Sequence, residues 1–369
     1  MNLNTGGWAS RVLTPLLRIV RSSPNATVPV IAISEPVNSE TAALVDADIA
    51  IVPKGIGALL VSVPDGTATG GSKRGAGAVD LQRSRNTNNR IASGANSVLL
   101  GGSNNQASGD RCVVAGGSGN VASGIESCIL GGLQNSVQTQ ASFIGGGEYN
   151  TVFTNTNGVV CGGLSNNTSG KYGFIGAGST NAVSGVSAFV GAGNYNTASG
   201  AYSGIPSGYY GTTRSITGYF AVAACYAPIS SGAAGVSQAG LLILGWQTSD
   251  ATPTILVSES ASPSATNQVA LPNNSAYSFS GEVIAGVTGA GNTARWEIKG
   301  AIKRGAGAGT TAMVGTPTVT MTHNDAGASG WAVAVTANSS LGCIRVQVTG
   351  AASTTIRWVA KIETTEMTY

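Results

Sequence analysis

Residues 101–109 read Gly101-Gly102-Ser103-Asn104-Asn105-Gln106-Ala107-Ser108-Gly109, and this pattern returns along the middle of the chain. A Gly-Gly or Ala-Gly pair recurs at Gly116-Gly117, Gly131-Gly132, Gly146-Gly147, Gly162-Gly163, Ala177-Gly178 and Ala192-Gly193, with a period of 15 and one step of 16. Three residues after every pair stands an asparagine: Asn105, Asn120, Asn135, Asn150, Asn166, Asn181 and Asn196. Five units then close on Ser-Gly, as at Ser108-Gly109 and Ser199-Gly200. A fixed short period is the mark of a solenoid, whose repeats bury their apolar faces only by stacking on one another. Seven coils are legible.

Before each pair lies a short apolar run whose central column is aliphatic throughout: Leu99, Val114, Ile129, Ile144, Val160, Ile175 and Val190. These runs read as strands, one per coil. Side chains alternate along a strand, so the flanking columns share the opposite face. They vary together: where the first is Phe143, Phe174 or Phe189, the second is Gly145, Gly176 or Gly191, a compensation of volume expected in a closely packed space. Both faces are therefore expected to be buried. A coil of this size covers only one of them, and the second calls for copies of the chain around a common axis, most simply three.

The asparagine column reads as structural, since asparagine at a turn bonds nearby backbone and tolerates the left-handed conformation. Calcium-binding nonapeptide solenoids carry an aspartate in each unit, whereas residues 96–200 contain only Asp110, so no metal is expected. The threonines of the rod are scattered over several positions of the unit, unlike the flat array of an ice-binding face.

The composition agrees with a glycine-turned β protein. Of 369 residues 54 are glycine, only 9% are charged and the net charge is +3. Disordered, coiled-coil and nucleic-acid-binding chains are far richer in charge. No run reaches the ~18 apolar residues of a membrane span, and Arg11, Pro15 and Arg18 interrupt any signal-like core near the start, so neither export nor membrane insertion is expected. Cys112, Cys128, Cys161, Cys225 and Cys343 show no paired spacing and read as buried thiols in a chain assembled under reducing conditions.

Residues 1–90 form an N-terminal region with a short basic helix around residues 8–21 and strand-like runs at 48–52 and 58–63. Lys73, Arg74, Arg83, Arg85 and Arg90 stand there against Asp80 without aromatics for base stacking, which leaves inter-chain ion pairs, an acidic partner or a solvated face. The solenoid is placed at residues 91–200. Residues 201–218, with Tyr202, Pro206, Tyr209 and Tyr210, read as a cap and linker. Residues 219–369 alternate as antiparallel strands, for instance Trp331–Val335, Cys343–Val348 and Ile356–Ile362, and suggest a β-sandwich or jelly roll.

Little reactive chemistry is visible. His323 is the only histidine and falls in a turn, where a solvated role outweighs a Ser-His-Asp device. Gly300–Gly307 has the glycine spacing of a phosphate loop, but Ala306 stands where lysine is required. Glycan cleavage usually needs two carboxylates ~5–9.5 Å apart. Asp110, Glu126 and Glu148 occupy different repeat positions, leaving an inter-chain pair as the route within the rod. Asp250, Glu259, Glu282, Glu297 and Asp325 cannot be placed relative to one another from sequence. Trp246, Trp296, Trp331, Trp358, Tyr202, Tyr209 and Tyr210 can stack on sugars, although tryptophans in alternating strands generally belong to a core.

The repeat Gly101–Gly109 and its copies resemble repeats of bacteriophage tail fibres and are similar to the β-roll heads of trimeric autotransporter adhesins. Lys73-Arg74-Gly75-Ala76 with Ala78–Gln82, and Ala294–Gly300 with Thr355–Ala360, also resemble tail-fibre sequence. The resemblance covers roughly residues 73–369 and implies a homotrimeric virion fibre, assembled in the host cytoplasm. Its N-terminal region would join other virion tail proteins and its distal part would meet the host. An adhesin would need an export signal, a heptad stalk and a membrane anchor, none of which is read here. The resulting expectation is an all-β, non-enzymatic fibre without cofactor that binds a host surface glycan. The expected binding residues are His323, Asn324, Asp325, Tyr209 and Tyr210. The alternative is a tailspike that cleaves host polysaccharide.

Overall fold

In the computed structural model the described residues are 18–21, 29–32, 56–226, 228–229 and 233–369. The chain divides into two units, Met1–Val52 and Pro53–Tyr369. In the first, Arg18–Arg21 pairs antiparallel with Pro29–Ala32. Residues 18–21 are therefore extended and not the end of a helix; residues 8–17 and 48–52 lie outside the described residues.

The second unit is all-β, and among the described residues helix is confined to two 3-10 turns, Ala308–Thr310 and Ala326–Ala328. A β-solenoid of about nine turns begins at Leu59–Leu60 and advances through Val79–Asp80, Val98–Leu99 and each later apolar run to Gly204–Ile205, all paired in parallel. The inward column from Leu99 to Val190, with Ile205, is completely buried. Each coil carries a second two-residue strand, such as Gln106–Ala107 and Val121–Ala122, in another parallel ladder whose second residue points inward. At two residues these strands are too short to show a period in the sequence.

Two turns precede the seven legible ones, inside the stretch read as the N-terminal region. They are longer and lack the asparagine. In them Asp80 is fully buried, with Arg74 Nε at 2.6 Å and Arg85 Nη2 at 3.6 Å. Arg74 and Arg85 also donate to the Gly70 and Thr69 carbonyls. These two arginines are thus interior cross-links of their own chain, neither a solvated face nor contacts to a partner. At the other end residues 201–212 continue the winding instead of interrupting it: Phe189 and Val190 pair with Gly204 and Ile205, Asn194 bridges to Tyr209, and Thr197 bridges to Thr212.

The asparagine column runs through the interior as a file of amides. Asn105 Nδ2 donates to the carbonyls of Gly101 and Gly117, each at 3.0 Å, while its Oδ1 accepts the Asn120 N–H at 3.0 Å. The same geometry repeats to Asn196, whose Oδ1 accepts from Gly211 N–H. Gln82 opens the file by accepting from Asn105 N–H at 2.7 Å. Buried backbone groups at the tight corner are thereby satisfied, which water cannot do there.

The glycine pairs are unequal. The second glycine, Gly147 for example at φ +82°, faces the next coil so closely that a Cβ would collide with the Gly163 carbonyl. The first, Gly146, has open space around the Cβ direction. Ala177 and Ala192 accordingly replace only first glycines. Gly145 and Gly176 lie under the Phe143 and Phe174 rings, 3.5 and 3.6 Å from where a Cβ would sit.

Within one chain only one strand face is buried, as a coil of this size allows, and the second is left for other copies to cover. Val98, Val113, Phe143 and Phe189 are half-buried, and Leu100, Leu130, Cys161 and Phe174 are exposed. Of the cysteines, Cys112 and Cys343 are buried, whereas Cys161 and Cys225 are exposed, contrary to a uniform interior role.

The solenoid passes directly into antiparallel structure. Phe220 of Phe220–Ala223 pairs with Gly204 and, on its other side, with Leu241. The sheet then runs Ser237–Thr248, Ile356–Thr368, Ser275–Val287, Thr293–Arg304 and Thr318–Asn324. A second sheet pairs Ala332–Asn338 with Cys343–Thr349, which also takes the short strands Thr254–Ile255 and Val269–Ala270. Trp358 lies 5.6 Å from Trp296 and 5.9 Å from Trp331, ring centre to ring centre, and donates to Thr248 Oγ1 at 3.0 Å. At the junction buried Glu366 accepts from Tyr219, Arg214 and Gln238, which ties the last strand to the end of the solenoid. Burial first, then the Glu366 charge, pushes the Tyr219 phenol well above its usual range.

Candidate functional site

The predicted residues fall in two separate places. His323 and Asn324 end the strand Thr318–Asn324, and Asp325 precedes the following 3-10 turn. His323 stands opposite Arg295 on the neighbouring strand. Asp325 Oδ2 accepts from Thr293 N–H at 2.8 Å, and Asn324 Nδ2 donates to the Asp325 carbonyl at 3.0 Å. These residues line one open cleft together with Ile284, Thr293, Arg295 and Thr322. His323 thus lies at a strand end and not in the turn expected, but all three residues are exposed, as a recognition surface on a rigid scaffold requires.

Next to this cleft the fold assembles what the sequence leaves unplaced. Glu282 and Glu297 are direct cross-strand partners, and both ion-pair with Arg295, at 3.3 and 3.0 Å. Arg295 also donates to Thr322 Oγ1 at 3.0 Å. The Glu297 and Glu282 carboxylates raise the Arg295 pKa, so the guanidinium stays charged between two acids. The pair emerges only from the hairpin register, because its members stand 15 positions apart along strand and turn. In the rod, by contrast, Asp110 accepts from Ala95 N–H and Glu126 pairs with Arg111, which are local roles.

Tyr209 and Tyr210 sit at the C-terminal end of the solenoid, away from the His323 cleft. They join Tyr195 and Tyr226 in a cluster with ring centres 4.6–5.7 Å apart. Partial burial, with Tyr210, Tyr226 and Tyr195 close by, raises the Tyr209 phenol. Trp296, Trp331 and Trp358 are core residues, whereas Trp246 is 39% exposed. Most of the glycine-spaced segment Gly300–Gly307 lies in the strand Thr293–Arg304, which offers no phosphate loop. Among the described residues no group of three or more His, Cys, Asp or Glu side chains is placed to hold a metal, and no helix is long and apolar enough to cross a membrane.

No protein-family model matches this chain, and neither does any curated protein. Solved structures similar to it include the tailspike protein gp49 of Acinetobacter baumannii bacteriophage Fri1, a capsular polysaccharide depolymerase. That likeness has 9% identity and a TM-score of 0.22, over 83% of this chain and 70% of the other. The tailspike of Acinetobacter phage vB_ApiP_P1 shows 12% identity over 79% of this chain and 59% of its own, with a TM-score of 0.19. The tailspike of Acinetobacter baumannii phage AM24 shows 9% identity over 81% and 60%, with a TM-score of 0.20. The chain thus spans about 60% of the length of the latter two.

The expectation of a non-enzymatic chain is corrected at this point. It rests on carboxylates that the sequence leaves unplaced, and the hairpin register sets two of them, Glu282 and Glu297, opposite each other.

Proposed function

We propose that this chain is a phage tail receptor-binding protein that engages a host surface polysaccharide. The observation that carries this reading is the nine-turn solenoid passing without a break into antiparallel sheets that present the exposed His323-Asn324-Asp325 cleft. The N-terminal region joins the particle through other tail proteins, and the distal loops meet the glycan. Three chains pack about a common axis with their half-exposed columns turned inward. That face bears exposed Leu100, Leu130 and Phe174, and contiguous exposed apolar side chains mark an interaction surface. A trimer has three times the 36.5 kDa chain mass, which light scattering reads directly.

Cleavage of the bound glycan is the second reading, favoured by Glu282 and Glu297 beside that cleft. Two carboxylates on neighbouring strands have the composition of a glycosidase acid and its partner. Incubation with purified capsular polysaccharides tests both readings through binding, new reducing ends and loss of polymer size. Cleavage abolished in Glu282→Gln and Glu297→Gln supports the second. Polymer bound but left intact removes cleavage and keeps engagement, and polymer neither bound nor cut overturns the function.

A further inference from the structure

We infer that Tyr195, Tyr209, Tyr210 and Tyr226 form a stacking platform for pyranose rings, a polysaccharide subsite at the end of the solenoid separate from the His323 cleft. The inference rests on the polysaccharide reading above and gives it a second place on the chain. Its first support is geometry. Tyr195 stacks on Tyr210 with centres 4.8 Å apart and planes 12° from parallel, and Tyr209 meets both edge-on. Tyr226 stacks on Tyr209 at 5.2 Å. A core cluster would hide such rings, yet Tyr195 is 40% and Tyr226 75% exposed.

The second support is backbone conformation. Tyr195 and Tyr210 belong to a corner column that also holds Asn104, Gly119, Gln134, Tyr149, Ser165 and Thr180, all left-handed. Bulky side chains rarely adopt that conformation, whereas glycine and asparagine do so readily. Both tyrosines hold φ of +59°. The winding is satisfied there by Gly119 or Asn104, so the turn does not require a ring; Tyr149, Tyr172 and Tyr202 are left-handed as well, and what sets Tyr195 and Tyr210 apart is that their rings stack on each other.

The third support is the surround. Thr180 on the preceding coil and Asn194 beside Tyr195 are exposed, with Ser179 Oγ 3.2 Å from Thr180 Oγ1. Neutral hydroxyl and amide groups beside π-faces suit a sugar, which offers an apolar C–H face and a rim of hydroxyls.

The experiment compares the full-length wild type with Tyr195→Asn, Tyr226→Ala and the control Tyr202→Ala, an exposed tyrosine of another corner column. Each is titrated against a panel of purified bacterial capsular polysaccharides, and melting temperature and solution mass are recorded. Expected is at least a tenfold loss of affinity for the polymer that binds wild type in both platform variants. Tyr202→Ala should bind normally, and Tyr195→Asn should melt no lower than wild type because it relieves the left-handed tyrosine. Undiminished binding by the platform variants overturns the platform and leaves the function standing. A lower melting temperature for Tyr195→Asn, or an altered solution mass, makes the rings a packing cluster or an interface between copies and overturns it too. A wild type that binds no polymer overturns both.

Discussion

The solenoid and the antiparallel sheets that follow it solve the same problem by different means. In the solenoid every strand has two residues and finds its partner one coil away, so order comes from a repeated small vocabulary: one inward aliphatic, one amide, one glycine without room for a side chain. In the sheets, strands of 12 and 13 residues meet partners distant in sequence, as Ser237–Thr248 meets Ile356–Thr368, and three tryptophans share one core. Stability is a sum over neighbours in the first region and a common property in the second.

Substitutions at single sites sharpen that contrast. The largest effect is expected from Trp358→Ala, which empties the shared core and should cost about 3–5 kcal/mol, read as loss of the sheets' near-ultraviolet signal at lower urea. Gly147→Ala should cost about 2–4 kcal/mol through its left-handed backbone and the clash with the next coil. Gly146→Ala, one residue away, should stay within about 0.5 kcal/mol, and equal effects at both sites would break the account of the glycine pair. Asn150→Ala leaves Asn166 N–H and the Gly146 carbonyl without a partner, while the Gly163 carbonyl keeps the Glu148 N–H. A loss of about 2 kcal/mol is expected, with hydrogen exchange rising mainly in the coils beside it.

The smallest effects concern thiol chemistry. Burial pushes Cys112 to about 11 and Cys343 to about 12, so neither should react with a disulfide reagent at pH 8 before unfolding. Cys225 should react at once. Cys161 lies on the half-exposed face: reaction alongside Cys225 marks a free face, and protection marks copies packed against it.

The solenoid was open to reading because its signals recur at fixed spacing, so that Leu99 could be aligned with Val190 and Asn105 with Asn196. The two earliest turns escaped notice because Gln82 replaces the asparagine and buried Arg74, Asp80 and Arg85 take the place of an apolar interior. In the sheets, alternation exposed individual strands such as Cys343–Thr349 but not their partners, since register is settled by contacts distant in sequence. That is why Glu282 and Glu297 looked unrelated. Tyr209 and Tyr210 were visible as candidates, while Tyr195 and Tyr226 were missed. For Tyr195 a signal existed: it occupies the repeat position of Asn104.

The file of amides has a direction. Each asparagine offers its oxygen to the coil that follows it in sequence, and Gln82 makes the first such offer. During synthesis every new coil therefore arrives at an acceptor already set in place, a template one coil deep that never waits for the far end of the chain. Winding of this kind is vectorial and of low contact order. Gln82→Ala should slow its start more than any later substitution in the column slows its progress, and the ribosome's own order of delivery becomes the order of assembly.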